Sequence, residues 1–377
     1  WDQQVFMPPG GRGARARQMA WISELAHQRL CSERLGDLLE EVGEGAAPGS
    51  VQADCVREAK RGRARALRLP GDLVRALAQK SSEAQNAWAE ARDQERFAPF
   101  REALAEVINL KKREAEALLP LGYEHLYDAL IDEYEPRATV RWLEPLVESV
   151  AQQAQEVLEA VRNSRRAPRR EILRRGFDVQ TQKAFCSKLL EWIGFDLTSG
   201  RLDESRHPFT VSFDPGDVRL TTRFANDWLS RSLFSTLHEG GHGLYEQGLP
   251  RDLVGNPAGG ALSLGIHESQ SRFWENQVGR RRAFWSFAFE PLREAFHPTL
   301  DDVSFEEFHF AINEVVASPI RTEADEVTYN LHIALRFELE KAMLEGDLAV
   351  GDAEGAWADA MEKHLGLRPE SPLEGIL

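Results

Sequence analysis

The chain has 377 residues, 42% of them hydrophobic and 28% charged, with a formal net charge of −15. That is enough apolar material for a sizeable core, so a disordered polyelectrolyte is excluded. The acidic balance argues against a general nucleic-acid surface, and no apolar run approaches the roughly 20 residues of a membrane span. Cys31, Cys55 and Cys186, widely spaced and odd in number, suit neither a disulfide framework nor a thiolate metal site, and they point to a reducing, cytoplasmic compartment.

In chain order, apolar residues at three- and four-residue spacing predict helices over 16–44, 70–94, 97–118, 122–134, 141–163 and 180–193. Phe97, Phe100, Leu104, Val107, Ile108 and Leu110 show the pattern. Ala47-Pro48-Gly49, Leu119-Pro120, Glu135-Pro136 and Ala167-Pro168 break it. The Ala-, Glu- and Arg-rich stretch 57–118 reads as long surface helices, and the basic runs 61–68 and 165–175 as solvated faces. Nothing in this front half suggests chemistry of its own.

A short stretch departs from helical spacing. Phe209, Val211 and Phe213 alternate with polar residues, as do Val218, Leu220 and Thr222, and Asp214-Pro215-Gly216-Asp217 between them predicts a type II turn. The resulting β-hairpin would project Asp217, Arg219, Thr221 and Arg223 from one face and pack Val218 and Leu220 on the other. Such a polar ribbon is a candidate rail for an extended peptide.

His238-Glu239-Gly240-Gly241-His242 follows, with the H-E-x-x-H form. Imidazoles four residues apart lie on one helical face and can share a metal, leaving the intervening carboxylate free as a base. Phe234, Leu237, Leu244 and Tyr245 supply a partly apolar face, so the motif is predicted on a packed helix. Two adjacent glycines each cost such a helix about 1 kcal/mol relative to Ala. They need a reason, and close approach of a backbone or a substrate supplies one.

A hydrolytic metal site takes three protein ligands and keeps a position for water. Glu268, 26 residues after His242, is the expected third ligand. It lies in a segment whose Leu264, Ile266, Phe273, Trp274 and Val278 predict a second packed helix, with His267 and Glu275 as rival ligands.

Taken in order, His207-Pro208-Phe209, Asp217-Val218-Arg219-Leu220-Thr221, the His238 to His242 motif, Ile266-His267-Glu268-Ser269-Gln270-Ser271 and Ile320-Arg321-Thr322-Glu323-Ala324-Asp325 resemble the blocks of the M32 metallocarboxypeptidases, the Taq carboxypeptidase family. The opening Trp1-Asp2-Gln3 and Met7-Pro8-Pro9-Gly10 also resemble that family, so the likeness runs along essentially the whole chain. It implies a mostly α fold, a helical gluzincin of the neurolysin kind, with two helical halves around a deep groove and a small sheet near the active site. A single catalytic domain over 1–377 is then expected, with 1–200 as a groove wall and 201–377 carrying the metal.

The resemblance further implies a cytoplasmic homodimer that releases C-terminal residues from peptides with a free C-terminus, using one zinc ion, or cobalt, per chain. His238, His242 and Glu268 would bind the metal, and Glu239 would be general base and acid. Arg321 is the first candidate for the substrate carboxylate, since its fork of donors matches one. Ile320, Ala324, Val327, Leu331 and Leu335 predict that Arg321 begins a helix, with Asp325 one turn on to orient it. Arg219, Asp217, Thr221 and His207 complete the substrate-binding candidates, with Arg223 as a further arginine. The family pattern continues past a Gly-Ile-Leu stretch into a Gln-Asp-x-His-Trp block. The chain is therefore expected to be shortened at both ends, with oxyanion-stabilising groups beyond residue 377. The alternatives are a related helical zinc endopeptidase or dipeptidase, or a non-catalytic metal-containing binding module.

Overall fold

The computed structural model describes residues 1–377, with side chains at every position except 9, 12, 16 and 20. The described residues begin with nine helices: α1 (Asp2–Val5), α2 (Arg12–Cys31), α3 (Glu33–Glu44), α4 (Val51–Arg68), α5 (Gly71–Asp93), α6 (Ala98–Leu118), α7 (Leu126–Ile131), α8 (Val140–Arg162) and α9 (Val179–Ile193). Three strands follow, β1 (Gly200–Glu204), β2 (Thr210–Asp214) and β3 (Asp217–Thr222). Then come α10 (Leu229–Gln247), α11 (Leu264–Arg272), α12 (Arg282–Ala295), α13 (Phe305–Ile312), α14 (Thr328–Glu345) and α15 (Ala353–Leu365). The mostly α class with a small sheet is thus what the chain forms.

The predicted helices hold with local corrections. The stretch 16–44 is two helices, because Ser32 is extended and its Oγ accepts from Leu35 N to start α3. The segment 122–134 is helical only over α7, and His125 caps it through Nδ1.

The chain divides into two compact units, 1–60 with 166–314 and 61–165 with 315–377. Each takes residues from both sides of position 200. In the second unit α5 packs on α6, while α8, α14 and α15 enclose Leu158, Leu331, Leu335, Met361 and Leu365. Asp132 is the polar centre of that unit. It is buried, and its Oδ2 accepts from Arg61 (2.7 Å), Arg65 (3.2 Å) and Tyr123 Oη (2.6 Å), while Oδ1 accepts from Arg137 N (2.8 Å). Removing one partner of a buried charge cluster strands the others. Asp132→Asn is expected to destabilise the protein by about 3 kcal/mol, read as a lower urea midpoint.

The first unit holds the sequence motifs. Its core joins α9, α10, α12 and α13 to the inner face of the sheet through Phe185, Leu189, Leu190, Val218, Leu220, Leu233, Leu237, Trp285 and Phe308. The hairpin forms as predicted, with β2 antiparallel to β3, but β1 adds in parallel on the other side of β3. Strand β3 is therefore central, and β1 and β2 are the edges. The connecting turn also differs from type II. Asp214 Oδ1 accepts from Gly216 N (2.7 Å), and Gly216 does not take a positive φ, so the aspartate's own side chain shapes the turn.

Candidate metal centre

Helix α10 is held on three sides, and its glycines explain how. A Cβ on Gly240 would lie 2.7 Å from Ile193 Cδ1 and 2.9 Å from Leu190 Cδ2, both on α9. One on Gly243 would lie 2.6 Å from the Phe195 ring and 2.9 Å from Leu220 of β3. One on Gly241 would lie 2.6 Å from the Gln270 carbonyl oxygen and 2.7 Å from Ser271 Cα. Backbone approach is therefore the reason for Gly241, and the backbone belongs to α11, which carries Glu268.

Ser263 starts α11 by accepting from Ile266 N (3.1 Å). The helix passes without interruption into a π-helical turn over Phe273–Val278, closed by Gly279 N donating to the Trp274 carbonyl. Of the residues expected to pack this segment, Trp274 and Val278 join the core, while Leu264, Ile266 and Phe273 are exposed. The α11 backbone comes against α10 at Gly241, and His267 meets His242 beside it, so the apolar stripe is not needed to dock the helix.

This crossing brings three donors together. Glu268 Oε2 lies 3.6 Å from His238 Nε2 and 3.2 Å from His242 Nε2. Donor atoms about 2.1 Å from a tetrahedral metal are separated by about 3.4 Å, so these spacings fit a divalent ion. His238, His242 and Glu268 are the one group of this kind among the described residues, each offering an atom within 4.8 Å of the others. Burial alone would raise the Glu268 carboxyl, but the His242 and His238 imidazoles beside it, when protonated, and the Ser271 hydroxyl bring it down to about 2.

The far side of each imidazole is also held. His238 Nδ1 lies 2.9 Å from Glu275 Oε2, which directs that nitrogen's proton to the carboxylate and leaves Nε2 as the lone-pair donor. Burial would raise Glu275, yet His238, Arg272 and Arg280 hold it below the ordinary range. His242 Nδ1 lies 2.6 Å from His267 Nδ1, and His267 Nε2 lies 2.6 Å from Glu246 Oε1. A carboxylate only accepts, so His267 carries its proton on Nε2 and accepts from His242 on Nδ1. His267 and Glu275, the rivals for the third ligand, thus both stand behind the two motif histidines.

Glu239 is 5% exposed, and its Oε2 accepts from Thr210 Oγ1 on β2 (2.7 Å), while Oε1 has no hydrogen-bond partner among the described residues. Burial pushes its pKa above the ordinary value, against the pull of His238 and Thr210. A buried carboxylate with one oxygen held and a raised pKa is suited to taking up and returning a proton.

The remaining candidates fall elsewhere. Asp217 and Arg219 form a two-point pair (2.8 Å each), and the Arg219 guanidinium carbon sits 4.6 Å from the Trp1 ring centroid and 4.8 Å from that of Phe213. Thr221 is not presented for binding. It is fully buried, accepting from Phe209 N and bonded to Ser205 Oγ, so it ties the 205–209 loop to β3. His207 is exposed, and its carbonyl accepts from Ser205 Oγ. Arg321 opens a 3-10 turn, Arg321–Glu323, and helix α14 begins only at Thr328. Its Nη1 donates to Tyr329 Oη (2.9 Å) and makes no pair with Asp325. Asp325 instead accepts from Val316 N, Val327 N, Thr328 N and Thr328 Oγ1, which starts α14.

A mostly helical scaffold around an H-E-x-x-H helix and a downstream glutamate defines the class of helical metallopeptidases. The chain belongs to the carboxypeptidase Taq (M32) metallopeptidase family, whose sequence model matches residues 1–377. It is 45% identical over 388 residues to thermostable carboxypeptidase 1 of Thermus thermophilus, covering 100% of this chain and 76% of that one. Carboxypeptidase 1 of Bacillus subtilis is 34% identical over 379 residues, covering 100% and 75%. The crystal structure of an M32 carboxypeptidase from Deinococcus radiodurans R1 superposes with a TM-score of 0.94 at 38% identity, again covering 100% and 75%. The protein is accordingly a metallocarboxypeptidase acting on peptides, with a metal cofactor. Among the described residues no helix is long and apolar enough to cross a membrane.

Proposed function

We propose that His238, His242 and Glu268 hold one zinc ion, with cobalt as the alternative, and that Glu239 moves the proton during release of the C-terminal residue. The observation that carries this reading is the spacing of 3.2 and 3.6 Å between Glu268 Oε2 and the two Nε2 atoms, close to the edge of a metal tetrahedron. A divalent ion bound there supplies a Lewis acid that polarises a carbonyl and brings the pKa of water toward about 7. Glu239 takes the water proton on Oε1, the oxygen that Thr210 does not hold, and returns it to the departing amine. Glu275 and the His267–Glu246 pair fix the tautomers of the two imidazoles, so that each offers Nε2.

Arg321 is the residue we assign to the substrate carboxylate. Among the described residues its guanidinium forms no ion pair, whereas Arg219 is committed to Asp217 and Thr221 is enclosed. The cytoplasmic address rests on three unpaired cysteines, and the homodimer on the family likeness alone.

The test is a peptide ladder incubated with the protein, with and without chelator, and read by mass spectrometry. Residues are expected to leave one at a time from the C-terminus only while metal is present. A C-terminal amide should slow release at least tenfold. Internal cuts, or indifference to the amide, would defeat the assignment.

A further inference from the structure

The face that β2 turns toward α10 is the reverse of what its composition favours. Val218 and Leu220 of β3 are fully buried in the core, and Leu220 lies against α10 at Gly243. Residues directly opposite in an antiparallel pair share a face. Thr210 is opposite Leu220 and Ser212 is opposite Val218, so both hydroxyls turn toward α10, while Val211 and Phe213 turn outward with Arg219. Phe213 is left 61% exposed, with only the Arg219 guanidinium recorded against its ring. A slip of one residue would exchange the two faces and bring both apolar side chains inward. The register observed keeps the hydroxyls there instead.

Each hydroxyl meets a carboxylate of α10. Thr210 Oγ1 donates to Glu239 Oε2 (2.7 Å), with the Glu239 carbonyl a second acceptor at 3.2 Å, and the Ser212 side chain bonds Glu246. Glu239 and Glu246 are seven residues apart, two helical turns, and so lie on one side of α10. The backbone before Thr210 is also clamped, since Phe209 N donates to Thr221 Oγ1 (3.0 Å) and the Phe209 carbonyl accepts from Thr221 N (2.9 Å). Threonine is stiff about its first side-chain bond. Its hydroxyl therefore starts from a fixed place.

We propose that Thr210 is a positioning residue for the general base, and that β2 forgoes the burial of Val211 and Phe213 in order to supply it. This rests on the assignment of Glu239 above. A glutamate side chain turns about three bonds, but one whose Oε2 is tied to a fixed hydroxyl presents Oε1 in one place. A reacting group misplaced by about 1 Å loses on the order of 10²-fold in rate. That sets the scale of the effect. The hydroxyl acts on the base and not on the histidines, so metal binding has no reason to follow it.

The experiment measures kcat and KM for an N-acetylated tripeptide with a free C-terminus on the metal-loaded full chain, with metal affinity read by chelator competition. The variants are T210V, T210S, T210A, E239Q and the double variant T210V/E239Q. T210V is expected to lower kcat at least tenfold while KM and metal affinity stay within twofold, and T210S to return kcat to within threefold of the parent. In the E239Q background T210V should lower the residual turnover by less than twofold, because its effect runs through Glu239. An unchanged kcat in T210V, a T210S as slow as T210V, or the same loss with and without Glu239 would each overturn the proposal. Should T210V fail to fold or to load metal, T210S and T210A differ by one oxygen, and equal kcat in that pair overturns it as well. If E239Q loses turnover while T210V keeps it, Thr210 alone falls; if E239Q keeps turnover, the Glu239 assignment falls and takes Thr210 with it.

Discussion

Glu239→Gln is expected to retain one metal per chain and to lose at least about 10³-fold in kcat, within the range that a positioned general base contributes. The substitution keeps the shape of the side chain and its hydrogen bond with Thr210 Oγ1, so the helix and the histidines on either side have no reason to move. It also removes a buried carboxylate whose charged form burial disfavours, so thermal stability should hold or rise slightly. The measurement pairs metal analysis of the dialysed variant with release of a C-terminal residue followed by mass spectrometry. Loss of turnover together with loss of metal would point to a structural fault. Retained turnover would falsify the assignment of Glu239.

That prediction draws mostly on what the sequence displays, because the chemistry is local. His238, Glu239 and His242 share a helix, and helical geometry fixes their relation from spacing alone. Glu268 is harder, since a helix turns about 100° per residue and His267 and Glu268 face different ways. Which of the two turns toward His238 and His242 depends on how α11 lies across α10, and that crossing is not written in the spacing; the downstream distance favours Glu268 without excluding His267.

Thr210 had no local signal. It reaches Glu239 from another element, and in sequence it is one more polar residue in an alternating strand. The same limit hid the role of Thr221. Alternation put it on a polar ribbon with Asp217 and Arg219, but Ser205 and Phe209 cover it, and Gly200-Arg201-Leu202-Asp203-Glu204 gives little sign of the strand that makes β3 central. The helix expected at Ile320 slipped for a related reason. Asp325 competes for backbone donors at 327 and 328, and a residue that caps a helix moves its start downstream.

The two glycines of the motif were legible as a problem, and their structural answers differ enough to be separated by experiment. At Gly240 an added Cβ meets the ends of the Ile193 and Leu190 side chains, which can change rotamer. Alanine there should cost little, since a gain of about 1 kcal/mol in helix propensity offsets the crowding. At Gly241 the atoms met are the Gln270 carbonyl oxygen at 2.6 Å and Ser271 Cα at 2.7 Å, and backbone has no rotamer to change. Gly241→Ala must therefore move α11 away from α10 by a fraction of an ångström to about 1 Å, and Glu268 is two residues before Gln270 on the moving helix. The ligand spacings of 3.2 and 3.6 Å then open. We expect Gly241→Ala to lose about 1–3 kcal/mol of stability and at least tenfold in metal affinity, with Gly240→Ala near the parent on both counts. Competition with a chromophoric chelator reads the affinity, and urea unfolding of the metal-free protein reads the stability. Equal behaviour of the two variants would mean that the helix crossing does not set the metal site.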